Sequence, residues 1–304
     1  MKKGNGVLEG IVILAVFLVL FVARLGDKSD SEKSPISSQK ETAVKTQNIS
    51  ASNSQDLPNI SLSAGNASRS YQSFEEYITI DNRGKSPASI TNWYLKNGKD
   101  KRAYDIGGQL KYFPADTATI GQGVIFISPS GHNIFQNIVL EPGEKAVITT
   151  GSVGSQTPYK IVSFKENICS GYLQSLEEYT FTPQLTQNCP KPRNELGVDS
   201  LDTECRKFIE GLRSCRTPEF DTRDSDGEIC SNCVNGKPLS SACVAFVKSH
   251  FSYDGCIANH VNDKNFSGTT WRVFLNLGWE MWAKEYETIE LFDQFGRLVK
   301  SRSY

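Results

Sequence analysis

The chain has 304 residues and a formal net charge of −1. That length holds one large domain, or two small ones with appendages. The near-neutral balance excludes a general nucleic-acid binder, which carries a net basic face, so no nucleic-acid partner is expected.

Val7 to Ala23 is apolar apart from Glu9, with an uninterrupted run from Ile11 to Ala23. That run is shorter than the roughly 20 residues that span a bilayer, and it lengthens only by borrowing Val7, Leu8 and Leu25. Its exit, Phe21-Val-Ala-Arg-Leu-Gly26, holds no small-x-small cleavage site. Residues 1–26 are therefore expected to be an uncleaved signal anchor, a transmembrane helix. Secretion after signal cleavage is the alternative. Lys2 and Lys3 favour an internal N-terminus, whereas Arg24 and Lys28 oppose it. Residues 27–56 are rich in Ser, Asn, Gln, Lys and Thr. They cannot bury enough apolar surface to offset their ordering entropy, and read as a disordered linker.

From Leu57 the texture changes to short strands between turns. Ile60 and Leu62 alternate; Tyr77, Ile78 and Ile80 follow, closed by Asp81-Asn-Arg-Gly84. Ile90, Trp93 and Leu95 make the next run. Gly123 to Ser128 (GVIFIS) is a further candidate strand. Ile138–Leu140 and Ala146–Thr149 flank Glu141-Pro-Gly-Glu144, whose Pro-Gly pair suits a type II turn. Ile161, Val162 and Phe164 form another candidate. Glu287–Tyr304 reads as a closing hairpin, its turn at Asp293-Gln-Phe-Gly296 and its partner expected within Glu75–Lys96.

Three of these stretches carry a family resemblance. Glu75–Gly98 (EEYITIDNRGKSPASITNWYLKNG) resembles the opening of a lamin-tail domain, in which an E-x-I-x-I-x-N strand and a turn precede a strand ending W-x-L. Leu140–Gly151 is similar to that family's central Pro-Gly hairpin. Asp293–Tyr304 is similar to its final hairpin. The resemblance covers residues 57–164 and 269–304, not the middle. It implies an immunoglobulin-like β-sandwich of the bacterial, surface-attached type, a binding or scaffolding module and not an enzyme. The sandwich would occupy residues 57–165 and 269–304.

Residues 166–268 depart from that pattern. All eight cysteines lie there: Cys169, Cys189, Cys205, Cys215, Cys230, Cys233, Cys243 and Cys256. An even, clustered set downstream of an apolar N-terminal segment favours disulfides in an oxidising compartment. Leu201–Cys215 has helical spacing, with Asp199 or Ser200 as cap; Ser240–Phe251 has it too, with Ser240 or Ser241 as cap; Tyr253–Val261 is a third short helix. Several bridges are expected to join the helices to loops around Cys169, Cys189 and Cys230.

The chemical motifs are weak. Cys230-Ser-Asn-Cys233 is a C-x-x-C with loop signals on both sides, read as a structural disulfide, with a redox pair or a zinc site as alternatives. Asp221–Glu228 holds four acids, but in the EF-hand register Thr222 and Cys233 stand where acids are required. His132, His250 and His260 form no nucleophile–base pattern with a serine or cysteine. No catalytic, cofactor or metal residue is assigned. Trp271, Trp279 and Trp282 form an aromatic cluster before the closing hairpin. Core packing is their expected role, and an exposed member of the set would instead mark a ligand platform.

The combined expectation is a mainly β protein: an immunoglobulin-like antiparallel β-sandwich with a small disulfide-stapled α-helical insertion, preceded by an N-terminal membrane helix and a disordered linker. Its expected place is membrane-anchored and extracytoplasmic. Its expected role is cell-surface binding, adhesion or scaffolding toward an unknown protein or cell-envelope ligand. The alternative is a thiol–disulfide, metal-dependent or hydrolytic activity in the Cys-rich insert.

Overall fold

The computed structural model describes residues 57–304, so the expected anchor and linker lie outside the described residues. Among the described residues, no helix is long and apolar enough to cross a membrane. The first strands are β1 (Ile60–Ser63), β2 (Tyr77–Asn82), β3 (Ala88–Ser89), β4 (Tyr94–Lys96), β5 (Tyr104–Ile106), β6 (Gln109–Lys111) and β7 (Thr117–Thr119). Then come β8 (Val139–Leu140), β9 (Lys145–Thr149), β10 (Phe164–Asn167) and helices α1 (Ser170–Gln174) and α2 (Thr203–Glu210). A small sheet of β11 (Asp221–Arg223), β12 (Ile229–Val234) and β13 (Lys237–Pro238) precedes α3 (Ser241–His250) and α4 (Tyr253–His260). The chain finishes with β14 (Ser267–Phe274), β15 (Thr288–Phe292) and β16 (Leu298–Ser303). Strand outweighs helix, as expected.

One sheet has the order β1-β2-β9-β14-β10 and another the order β16-β15-β4-β7. The period-2 alternation of β2 buries Ile78 and Ile80 and turns Tyr77, Thr79 and Asp81 outward. Both sheets feed one hydrophobic core: Ile80, Ile148, Trp271 and Val273 come from the first, Leu95, Ala118, Ile289 and Leu291 from the second. The closing hairpin finds the expected upstream partner. Leu291 lies opposite Leu95 on β4, and the β15–β16 turn closes through Asp293 N donating to Arg297 O, with Gly296 at φ +78.

Several expectations are corrected. The sheets are not wholly antiparallel, because β14 runs parallel to β9, Trp271 opposite Ala146. A parallel pair requires a crossover, which the long excursion between these strands supplies. The run from Ile90 to Leu95 does not form one strand. Asn92 takes φ +67, so the chain turns between β3 and β4. Gly123–Ser128 forms only isolated bridges: Val124 N donates to Ser163 O and Lys165 N to Val124 O.

The Pro-Gly turn forms as expected, with Gly143 at φ +86 and Glu144 N donating to Glu141 O, but its flanking strands are not hairpin partners. Strand β8 pairs with β3, whereas β9 pairs with β2 and β14. Buried Asn82 separates them. Its Nδ2 donates to Leu140 O and Ser86 O, and its backbone binds Gly143 N and Glu144 O. One residue, through its side chain and its backbone, thus occupies the groups a hairpin ladder would use.

The Cys-rich excursion leaves at Asn167 and returns at Ser267, which are register partners in the β10–β14 pair. It covers the outer face of that sheet. Trp271 and Val273 of β14 enter the shared core, while Arg272 and Phe274 point to the other face. There Val124, Ile127 and Phe164 share a second apolar cluster with Leu173, Phe181, Tyr253 and Ile257. A smaller third cluster, including Cys205, Ile209, Cys243 and Val247, joins α2 to α3. The helices begin where side chains satisfy their first amides. Asp202 caps α2 by accepting from Cys205 N, two positions beyond Ser200, the nearer of the two candidates expected, because Leu201 still lies outside the helix. Ser240 caps α3 and Ser252 caps α4.

Candidate functional site

The eight cysteines form four bridges, Cys169–Cys256, Cys189–Cys215, Cys205–Cys243 and Cys230–Cys233, and none is free. This fits an oxidising, extracytoplasmic environment. Cys169–Cys256 ties the start of α1 to α4, and Cys205–Cys243 ties α2 to α3. Contrary to expectation, Cys230 does not reach a helix. It bonds to Cys233 within β12, so the motif lies on a strand and not in a loop. The thiolates that a zinc site would draw on are all consumed in bridges. Among the described residues, no group of three or more His, Cys, Asp or Glu side chains is placed to hold a metal ion. Two of the four acids at residues 221–228 bond the backbone around them: Asp224 Oδ1 accepts from Asp226 N and Glu228 N, and Asp221 Oδ2 accepts from Gly236 N.

The histidines are spread over the surface. His250 stacks on Phe246 at 3.9 Å between ring centres. His260 lies between two carboxylates, 3.0 Å from Glu195 Oε2 and 2.8 Å from Asp263 Oδ2. Burial pulls its pKa down, but the bond to Asp263 and the charge and bond of Glu195 outweigh this and raise it above the ordinary value.

The tryptophan set divides. Trp271 and Trp282 are buried, and Trp271 Nε1 donates to Val139 O. Trp279 is 59% exposed. It lies in the loop between β14 and β15, at the edge of a cleft of about 460 Å³ lined also by Asn97, Lys99, Arg102, Tyr104 and Asp116.

That loop is held by groups from distant strands. Glu76 accepts from Met281 N (2.7 Å) and Trp282 N (3.3 Å), and Glu287 Oε2 accepts from Ala283 N (2.8 Å). Asn97 Nδ2 donates to Met281 O, and Tyr304 OH donates to Ala283 O. Both glutamates are buried, and burial holds the Glu76 carboxyl above the usual carboxylate range despite its amide donors. Glu287 Oε1 also accepts from Gly98 N and Thr288 N, while Arg102 Nη2 lies 3.3 Å from Oε2. Charge-assisted bonds of this kind are roughly twice as strong as neutral ones, so the loop presents Trp279 from a fixed backbone.

The cleft is lined also by Tyr104, which meets Phe113 edge-on at 5.4 Å. Tyr104 opens the β5–β6 hairpin, whose Gly107-Gly108 turn stands in open space and which carries exposed Ile106 and Leu110. The cleft's polar groups are partly engaged. Asp116 Oδ2 receives Asn97 Nδ2 and Lys99 Nζ. Among the described residues, Asp116 Oδ1, Arg102 Nη1 and Tyr104 OH have no hydrogen-bond partner.

Sequence reasoning named Trp279 but not Glu76, Asn97, Arg102, Asp116 or Glu287. The only available signals were acids at the mouths of apolar strands, Glu76 before β2 and Glu287 before β15, where a charge is buried only when several donors meet it. No known family model matches the chain, and no curated protein matches it, so the lamin-tail resemblance rests on the three motifs alone.

Proposed function

We propose that the chain is an extracytoplasmic binding or adhesion module, an immunoglobulin-like β-sandwich of lamin-tail type tethered to a membrane by residues 1–26. Four disulfides support the oxidising location. Two sheets around one core, with the closing hairpin on β4, support the sandwich reading.

The observation that carries the binding function is Trp279, a large aromatic left 59% exposed on a loop fixed by two buried carboxylates beside a polar cleft. The cleft and the first described residue lie at opposite ends of β15. The described chain enters at Leu57, next to Trp93 and Gln294 at the Phe292 end of β15. The Trp279 cleft lies at the Glu287 end of the same strand. The test is attachment of cells displaying the full chain to a receptive cell surface. Trp279→Ala is expected to lower attachment at least about tenfold, as loss of a central aromatic anchor does, with surface amount unchanged. Undiminished attachment by the variant overturns the reading.

A second reading, thiol–disulfide exchange, draws on Cys230–Cys233, the one bridge among the described residues closed within a single strand. Thiol trapping under graded reduction tests it. A pair opening well before the other three supports it, and simultaneous opening does not.

A further inference from the structure

We infer that the ligand of the Trp279 cleft is a neutral, hydroxyl-rich carbohydrate chain, an inference that rests on the cleft being the binding site proposed above. Four observations lead there. First, the exposed indole of Trp279 offers a flat apolar face of the size of one pyranose ring, and the C–H face of a sugar packs on such a surface while its hydroxyls stay polar.

Second, the cleft holds donors and acceptors side by side. Arg102 and Lys99 donate, and Asp116 and Glu280 accept. A hydroxyl does both, so adjacent hydroxyls can bridge the available Arg102 Nη1 and Asp116 Oδ1.

Third, four of the cleft's five charges are paired, Lys99 with Asp116 at 3.5 Å and Arg102 with Glu287 at 3.3 Å, which leaves the exposed carboxylate of Glu280. An anionic ligand meets Asp116, Glu280 and Glu287, and a cationic one meets Lys99 and Arg102. One exposed carboxylate, screened by solvent, gives a charged ligand little net field, whereas a neutral polyol needs none. Fourth, the backbone of Met281–Ala283 is tied at both its amides and its carbonyls, so ordering the site on binding costs little. The volume of about 460 Å³ accommodates two or three sugar units of a longer chain.

The experiment titrates the full chain, reconstituted in lipid nanodiscs, with cellohexaose, maltohexaose and N-acetylchitohexaose, following heat and tryptophan fluorescence. At least one oligosaccharide is expected to bind with Kd on the order of 0.1–1 mM. That affinity should change less than about twofold between low and high salt, because the ligand carries no charge to screen. Trp279→Ala should weaken binding at least about tenfold and Trp279→Phe should retain most of it, since stacking needs an aromatic face more than an indole N–H. Failure of all three sugars to bind, or equal binding by Trp279→Ala, overturns the inference. The same proteins in the attachment assay separate the two readings. If Trp279-dependent attachment survives periodate oxidation of surface sugars, the carbohydrate inference is wrong while the binding module stands. If attachment never depended on Trp279, both fail.

Discussion

Glu76 and Glu287, far apart in the chain, accept hydrogen bonds from three successive backbone amides, those of Met281, Trp282 and Ala283. A carboxylate has acceptor capacity for several donors and an amide oxygen for fewer, so a glutamine cannot replace either residue without setting an N–H against an N–H. Glu287→Gln is expected to destabilise the fold by about 2–4 kcal/mol, since buried Glu287 also receives Gly98 N and Thr288 N and pairs with Arg102. The readout specific to a positioning role is amide exchange at Met281–Ala283. It should accelerate more than exchange in β2 or β9. Uniform acceleration throughout would mean that Glu287 stabilises without fixing the Trp279 loop.

The ion pair of Arg272 on β14 with Glu166 on β10 carries the hydrogen bonds that fasten the excursion to the sheet. Arg272 Nε lies 2.5 Å from Glu166 Oε1, and both side chains are almost fully buried. The guanidinium also donates to Pro183 O and Gln184 O, and Glu166 Oε2 accepts from Thr186 N. Arg272→Met leaves a buried carboxylate unpaired and two carbonyls unmet, and should cost about 3–5 kcal/mol in denaturant unfolding. The double variant Arg272→Met with Glu166→Leu removes both charges and should recover part of that loss. No recovery would show that the backbone contacts at Pro183 and Gln184, not the buried charge, dominate.

The four bridges should differ in what they contribute. Cross-links that close long loops restrict the unfolded chain most, and Cys169–Cys256 spans 87 residues against 3 for Cys230–Cys233. Replacing the first pair by serines or alanines should cost about 4 kcal/mol or more. Replacing the second should have a much smaller effect on the unfolding midpoint. The ordering Cys169–Cys256, Cys205–Cys243, Cys189–Cys215, Cys230–Cys233 follows the separations 87, 38, 26 and 3. Calorimetry on the four double variants checks it. A large loss from the Cys230–Cys233 pair alone would point to a role in aligning β11, β12 and β13.

Much of this fold was legible because its signals are local. The alternation of Ile78 and Ile80, the Pro142-Gly143 turn and the Ser240 cap each act over two to four residues, and each forms where expected. The misreadings came from long-range competition. Asn82 occupies the groups that a Pro-Gly hairpin would pair, and Ser163 and Lys165 claim the backbone of Val124. Trp279 was one of three similar tryptophans in the sequence, and its exposure depends on Glu76, Asn97 and Glu287, brought together only by the sheets. Its setting had no local signature to read.

His260 makes stability depend on pH with a definite sign. Its folded pKa is raised, because Asp263 and Glu195 outweigh the opposing effect of burial. The charged form is therefore favoured in the folded state. The contribution is fully present below the unfolded value of about 6.5 and disappears as pH rises through the folded value. His260→Gln should reduce stability most near about pH 5.5 and least near about pH 9, and by no more than about 1 kcal/mol for a partly solvated pair. A deficit that grows with rising pH would contradict the assignment of a protonated His260 between its two acids.

The two excursions should respond oppositely to deletion. Replacing residues 168–266 by a short linker strips the cover from Val124, Ile127, Phe164 and Phe274 and breaks the contacts of Arg272 to Pro183 and Gln184. Each large side chain returned to water costs about 1.5–3 kcal/mol. Four of them approach the 5–15 kcal/mol that holds a typical domain together. The deleted chain is expected to unfold or aggregate, despite the adjacency of Asn167 and Ser267, which makes the splice geometrically easy. The β5–β6 hairpin is different: its strands contain no buried residue, and its glycine turn faces open space. Shortening residues 105–112 to a two-residue turn should shift stability by no more than about 0.5 kcal/mol. Circular dichroism and thermal unfolding of the two deletions distinguish them. A folded first deletion would mean that the sheets need no cover on their outer face. An unfolded second one would mean that the hairpin's apolar side chains stabilise the two sheets, so that they are not merely displayed beside the Trp279 cleft.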